Sequence, residues 1–185
     1  NNRPLYSQKD LYSVSGKLVF NGEEFKVDEN AGAIMDDHRG YYPRKAHYDW
    51  VSTMGKLNID GKMKWFGFNL TRNQSLDQEK YNENIIWFEN ETSILPPVTF
   101  TRNPETKDYL ASRGKCEWLV KDEHDMVNLK FKVYNLNAML MHAVVVNIDY
   151  YITFGELEGY LRDEDGKKYI LDGLTGIGED KTLLL

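Results

Sequence analysis

Cysteine is almost absent. Cys116 stands alone among 185 residues, so no disulfide can form within the chain. A chain of this length buries a sufficient core without such staples, and nothing in it asks for an oxidising compartment, which predicts a cytoplasmic protein. Cys116 sits between Lys115 and Glu117, beside Trp118, with no basic cluster to activate its thiol, and reads as a strand cysteine. Basic charge is the minority: 23 Lys and Arg against 29 Asp and Glu give a formal charge of −6. That balance argues against nucleic acid as a partner. The pairs Arg44-Lys45 and Lys167-Lys168 are too short to change this. Long apolar runs are missing too. Ala143 to Phe154 is interrupted by Asn147 and Asp149, and nothing approaches the roughly 20 residues of a spanning helix, so no membrane span is expected. Also missing are a phosphate-cradling glycine loop, a dinucleotide fingerprint, a serine nucleophile elbow and paired cysteines. These absences disfavour nucleotide-dependent and triad-type catalysis but leave acid–base chemistry on a bound apolar substrate open. His38, His47, His124 and His142 are scattered, without the convergent spacing of a metal site. No metal and no cofactor are expected.

What is present is a succession of hairpins. Asn21-Gly22 separates Lys17 to Phe20 from Glu23 to Val27, and Asn-Gly between apolar runs is the strongest short hairpin signal because both residues tolerate positive φ. Asp60-Gly61 repeats the device before the strand Met63 to Leu70, and Asp165-Gly166 does so between Tyr160 to Arg162 and Lys168 to Leu171. Looser turns are expected at Glu89-Asn90 and around Glu123-His124, and short helical turns at 76–81 and 106–112. The pattern predicts an all-β fold, an antiparallel up-and-down β-barrel or strongly curved sheet built from successive hairpins.

The densest chemistry lies in Asp36 to Trp50, reading DDHRGYYPRKAHYDW. A strand that is both aromatic and charged usually lines a pocket or a partner's surface. Period-two alternation puts Asp37 and Arg39 on one face, Asp36 and His38 on the other. Arg39 can hold an oxygen-bearing group and Asp37 can orient it or move a proton; a strand-end salt bridge fits the same residues. Asn82-Glu83-Asn84 either binds a polar ligand or caps a turn. Asn69 shares a strand face with Trp65 and Gly67 and either projects into a pocket or ends the strand. From Val144 to Tyr160 the even positions are mostly apolar and are expected to face the core; unbroken, that face would end in Glu156 and Glu158, but a bulge at Gly155 is expected to throw both carboxylates outward.

The order of these pieces resembles a known family. Asp37-x-Arg39-Gly40-Tyr41-x-Pro43 leads to Trp50; then come Gly67-x-Asn69-Leu70, Asn82-Glu83-Asn84 with Trp87, Pro97-Val98-x-Phe100, and Trp118 with Val127-x-Leu129-x-Phe131. Phe154-Gly155-x-x-x-Gly159 and Asp172-Gly173-Leu174-x-Gly176-x-x-Glu179 follow. This is similar to the domain of unknown function 2804 family, and more remotely to lipocalin-like (calycin) barrels such as carotenoid hydratases and tocopherol cyclases. The resemblance implies a lipocalin-like barrel over residues 15–185, preceded by an extension or linker at 1–14. It also implies that the chain, which opens on Asn1 rather than Met, is the carboxy-terminal part of a two-domain protein whose amino-terminal domain is a partner. The tail Asp180 to Leu185 departs from the family pattern, which usually continues toward a terminal tryptophan.

Positions carried over from the family, with the tryptophans as apolar walls, give a candidate site. Asp37, Arg39 and Glu83 are its acid–base and anchoring groups; Trp50, Asn69, Asn82, Asn84, Trp87 and Glu179 are its binding groups. The expected ligand is a small apolar molecule with a polar end, and hydration, cyclisation or isomerisation is the chemistry that fits if the domain is catalytic. A non-catalytic domain binding glycan or protein through surface aromatics is the other reading, supported by 13% aromatic content with 12 tyrosines.

Overall fold

A computed structural model describes residues 4–28 and 31–185. Among them are fourteen strands, in the order β1 (Leu5–Ser13), β2 (Gly16–Phe20), β3 (Glu23–Val27), β4 (Gly32–Gly40), β5 (Lys45–Ile59), β6 (Lys62–Arg72), β7 (Ile85–Phe88), β8 (Glu91–Ile94), β9 (Thr99–Asn103), β10 (Cys116–Lys121), β11 (Val127–His142), β12 (Asn147–Arg162), β13 (Lys168–Ile170) and β14 (Leu174–Leu184). A single-turn helix α1 (Gln78–Tyr81) follows β6, and a 3-10 turn (Thr106–Asp108) follows β9. The turns lie where their chemistry demands: Asn21 and Gly22 have φ of 51° and 82°, Asp60 and Gly61 of 55° and 79°, the left-handed pairs of a tight hairpin.

The main sheet runs β8-β7-β6-β5-β14-β12-β11-β10-β9, with β13 added along β12, and its pairings are antiparallel. Two runs of hairpins, β5 to β8 and β9 to β12, are joined by β14, which threads between β5 and β12. The sheet is strongly curled into a half-barrel. Arg102 on the edge strand β9 reaches Asp49 on β5, so the curl closes around the face that carries both. That inner face holds the core: Val51, Phe66, Phe68 and Leu70 from β5 and β6, Trp118, Leu129 and Phe131 from β10 and β11, and Leu157 and Leu161 from β12 are fully buried. Each such side chain contributes about 1.5–3 kcal/mol. Trp118 packs edge-on to Phe131 with ring centroids 5.5 Å apart. Glycine makes room for them: a Cβ on Gly178 would lie 2.8 Å from the Trp118 ring, and one on Gly155 would lie 2.7 Å from the Phe131 ring.

Two sequence expectations are corrected here. The stretch from Asp36 to Trp50 is not one strand, because β4 ends at Gly40 and β5 starts at Lys45, so alternation does not carry across it. In β12 the odd positions face the core: Thr153, Leu157 and Leu161 are buried, while Phe154 and Glu156 are exposed. No bulge on β12 is needed to turn Glu156 and Glu158 outward, and the register shift lies on β11 between Val133 and Asn135. Residues 148–152 are half-buried on both faces, so hydrophobicity alone gave the wrong parity.

Outside the main sheet, β1 pairs with β4 as a two-stranded ribbon and β2 with β3 as a hairpin. Residues 5–13 are therefore strand. The ribbon lies across the outer face of β5 and β6: a Cβ on Gly32 would meet Met54 and Trp65, and one on Gly67 would lie 3.6 Å from Leu11.

Candidate functional site beneath the ribbon

A cavity of about 520 Å³ lies between the ribbon and the outer face of the sheet. Its floor follows from register. Trp50 stands opposite Glu179 and Thr71, Tyr48 opposite Lys181, and Ala46 opposite Leu183, so these side chains share one face. Leu5, Lys9, Asp36, His38, Tyr42 and Glu83 complete much of the wall. The cavity is outside the half-barrel, whose interior is filled by the core.

The ribbon contributes a compact charged cluster. Lys9 Nζ lies 2.7 Å from Asp36 Oδ1 and 3.3 Å from Glu83 Oε2. His38 Nε2 lies 2.7 Å from the same Asp36 oxygen and 2.8 Å from Lys9 Nζ. Ser7 donates to Glu83 Oε2 at 2.8 Å and Asn73 donates to Oε1 at 2.8 Å. Burial pushes the Asp36 carboxyl upward, but hydrogen bonds from His38 and Lys9, with their charges, outweigh it and hold Asp36 below the usual range. The bond to Asp36 raises His38 above the ordinary imidazole value against burial and the Lys9 charge, with Glu83 adding to the rise. Two carboxylates, an ammonium and an imidazole in contact can hold a proton or pass it on.

On the sheet side, Tyr48 and Tyr150 each donate to Glu179, at 2.8 Å and 2.6 Å. Burial and the Glu179 carboxylate push both phenols well above their ordinary value, so both remain protonated donors.

Of the residues expected from sequence, Glu83, Trp50 and Glu179 line this cavity. Asn69 is buried beneath it, accepting from Trp50 Nε1 at 2.5 Å and donating to the Glu83 carbonyl at 2.8 Å; it fixes two lining residues. Asn84 accepts from the Thr71 N–H and donates to the Pro96 carbonyl, while Asn82 accepts from the Asn84 N–H and donates to the Gln78 carbonyl. Both serve the backbone at the turn. Trp87 is buried beside Gly67 and does not line the cavity. Asp37 and Arg39 pair with each other at 2.8 Å, with Arg39 77% exposed, and take no part in the cavity wall. Asp36 and His38, on the other face of β4, do. Alternation had placed that pair together on the opposite face without singling it out; Tyr48 and Lys181, two positions from Trp50 and Glu179, were findable by the same rule. Lys9 had no signal, because its strand pairs with β4 across an intervening hairpin.

A second polar cluster lies on the inner face, where His47, Asp49 and Asp180 converge with ligand atoms within 4.8 Å of one another. This convergence, between β5 and β14, was invisible in sequence spacing. Asp49, fully buried, takes Arg72 at 2.7 Å and also Arg102, whose Nε is 3.5 Å from Asp180. Both Asp49 oxygens and the Asp180 carboxylate face guanidinium nitrogens, the arrangement of a partly buried ion-pair network.

Comparison with curated proteins and with solved structures returns no match. Residues 1–184 match the family model described as Domain of unknown function (DUF2804), and the chain belongs to that family.

Proposed function

We propose that the domain binds a small, largely apolar molecule with an oxygen-bearing end in the cavity beneath the ribbon. The observation that carries this is a gradient of polarity along the cavity floor. Ala46 and Leu183 form one apolar rung, Tyr48 and Lys181 the next, Trp50 and Glu179 the third, with the Lys9, Asp36, His38 and Glu83 cluster on the ribbon side. An amphiphile lying along these rungs keeps its tail by the leucines and its polar end by the charges, which is the usual make-up of a small-molecule site. The cluster also supports proton transfer to or from that end, as in a hydration, cyclisation or isomerisation. Native mass spectrometry of gently purified protein is the test. A co-purifying apolar molecule bearing a hydroxyl, carbonyl or carboxyl group is expected, and a clean apo mass that stays unchanged on adding a panel of such amphiphiles would overturn the reading. Binding of glycan or protein through surface aromatics draws on exposed Tyr6, Tyr41 and Phe20; against it, Trp87 and Trp118 are buried and Trp50 faces the cavity.

A further inference from the structure

We infer that the polar end of the ligand is a carboxylate and that Lys181 receives it. This rests on the cavity being a ligand site and adds the chemical class of what it takes. The cavity's cations are not equivalent. Lys9 is 7% exposed and already bridged to Asp36 and Glu83, and His38 is held by the same two carboxylates. Their charge is spent within the ribbon cluster. Lys181 lines the cavity, yet among the described residues no carboxylate lies within ion-pair distance of it; its contacts are ring faces, with Nζ 4.7 Å from the Tyr150 centroid and 5.8 Å from that of Tyr48.

The acid on the same face of its strand, Glu179, has each oxygen engaged by a phenol, from those same two tyrosines. The two rings thus do two things. Their hydroxyls spread the Glu179 charge, and their faces hold the Lys181 ammonium in a half-buried place without neutralising it. A half-buried ammonium set against ring faces, with no carboxylate among the described residues within ion-pair distance, gains most from an anion that arrives with the ligand. The rung beside it, Ala46 with Leu183, continues to Leu5 and Leu185 and suits an alkyl tail. A long-chain monocarboxylate satisfies both ends at once.

Titration with a fluorescent polyene fatty acid and with its methyl ester tests this, each against wild type, Lys181→Met and Lys181→Arg, with circular dichroism to confirm folding. The expected result is that wild type binds the acid at least tenfold more tightly than the ester, that Lys181→Met loses that preference by binding the acid more weakly, and that Lys181→Arg keeps it. Equal binding of acid and ester by wild type, or an acid preference that survives in Lys181→Met, would overturn the assignment of Lys181 while leaving the cavity as a ligand site. Binding of neither probe would overturn both.

Discussion

His38 holds its proton more tightly than a free imidazole because Asp36 accepts from it, with Glu83 reinforcing and Lys9 opposing. The sign of the linkage follows. A raised folded value contributes stability that is complete below the unfolded value of about 6.5 and is lost as pH rises through the folded value. Asp36→Asn is expected to lower the His38 midpoint in an NMR titration, and an unchanged midpoint would show that Asp36 does not set it. Asp49 is the opposite case. Burial pushes it upward, but the His47 hydrogen bond and Arg102 hold it below the usual carboxylate range, so its contribution is present at neutral pH and lost as pH falls through the depressed value. Arg102→Met leaves that buried carboxylate with fewer partners and is expected to cost on the order of 3 kcal/mol in urea denaturation, whereas a loss under about 0.5 kcal/mol would mark the pair as ordinary surface. At this scale the sequence was legible to within one position. It marked the charged segment of β4, but a strand shows opposite faces at successive residues, and the family pattern drew attention to Asp37 and Arg39 where the cavity takes Asp36 and His38. Asn82 caps its own turn through Gln78 and Asn84, one of the two readings the sequence left open for that cluster, whereas the Pro96 carbonyl that Asn84 meets is brought near only by the fold.

The ribbon of β1 and β4 is tied to the sheet through Glu83, which takes Ser7 and Lys9 from β1 and His38 from β4. Glu83→Gln keeps the shape and removes the charge that those two cations meet. It is expected to speed amide exchange in β1 and β4 roughly tenfold while β11 and β12 stay as protected as before, since local opening energies differ between elements. Equal acceleration everywhere would make Glu83 a determinant of global stability instead. Hairpins such as β2–β3 and β5–β6 were readable because their turns are written in two adjacent residues, Asn21-Gly22 and Asp60-Gly61. The pairing of β1 with β4, and the insertion of β14 between β5 and β12, join strands that are not neighbours along the chain. No turn residue records them.

For the whole molecule, the curl of the sheet separates two environments. The inner face is a packed core crossed by the Asp49–Arg102 network, and the outer face carries the cavity. Exposed apolar groups also occur elsewhere, at Leu18, Val19 and Phe20 on the β2–β3 hairpin and at Val144 and Val145 between β11 and β12, so an apolar molecule has other places to adhere. Photoaffinity labelling with a diazirine-bearing fatty acid, followed by peptide mapping, separates these. Label confined to peptides carrying Leu5, residues 42–50 and residues 179–185, and displaced by unlabelled acid, is the expected result. Label concentrated at residues 18–25 or 139–145, or undiminished by competitor, would contradict a ligand site beneath the ribbon.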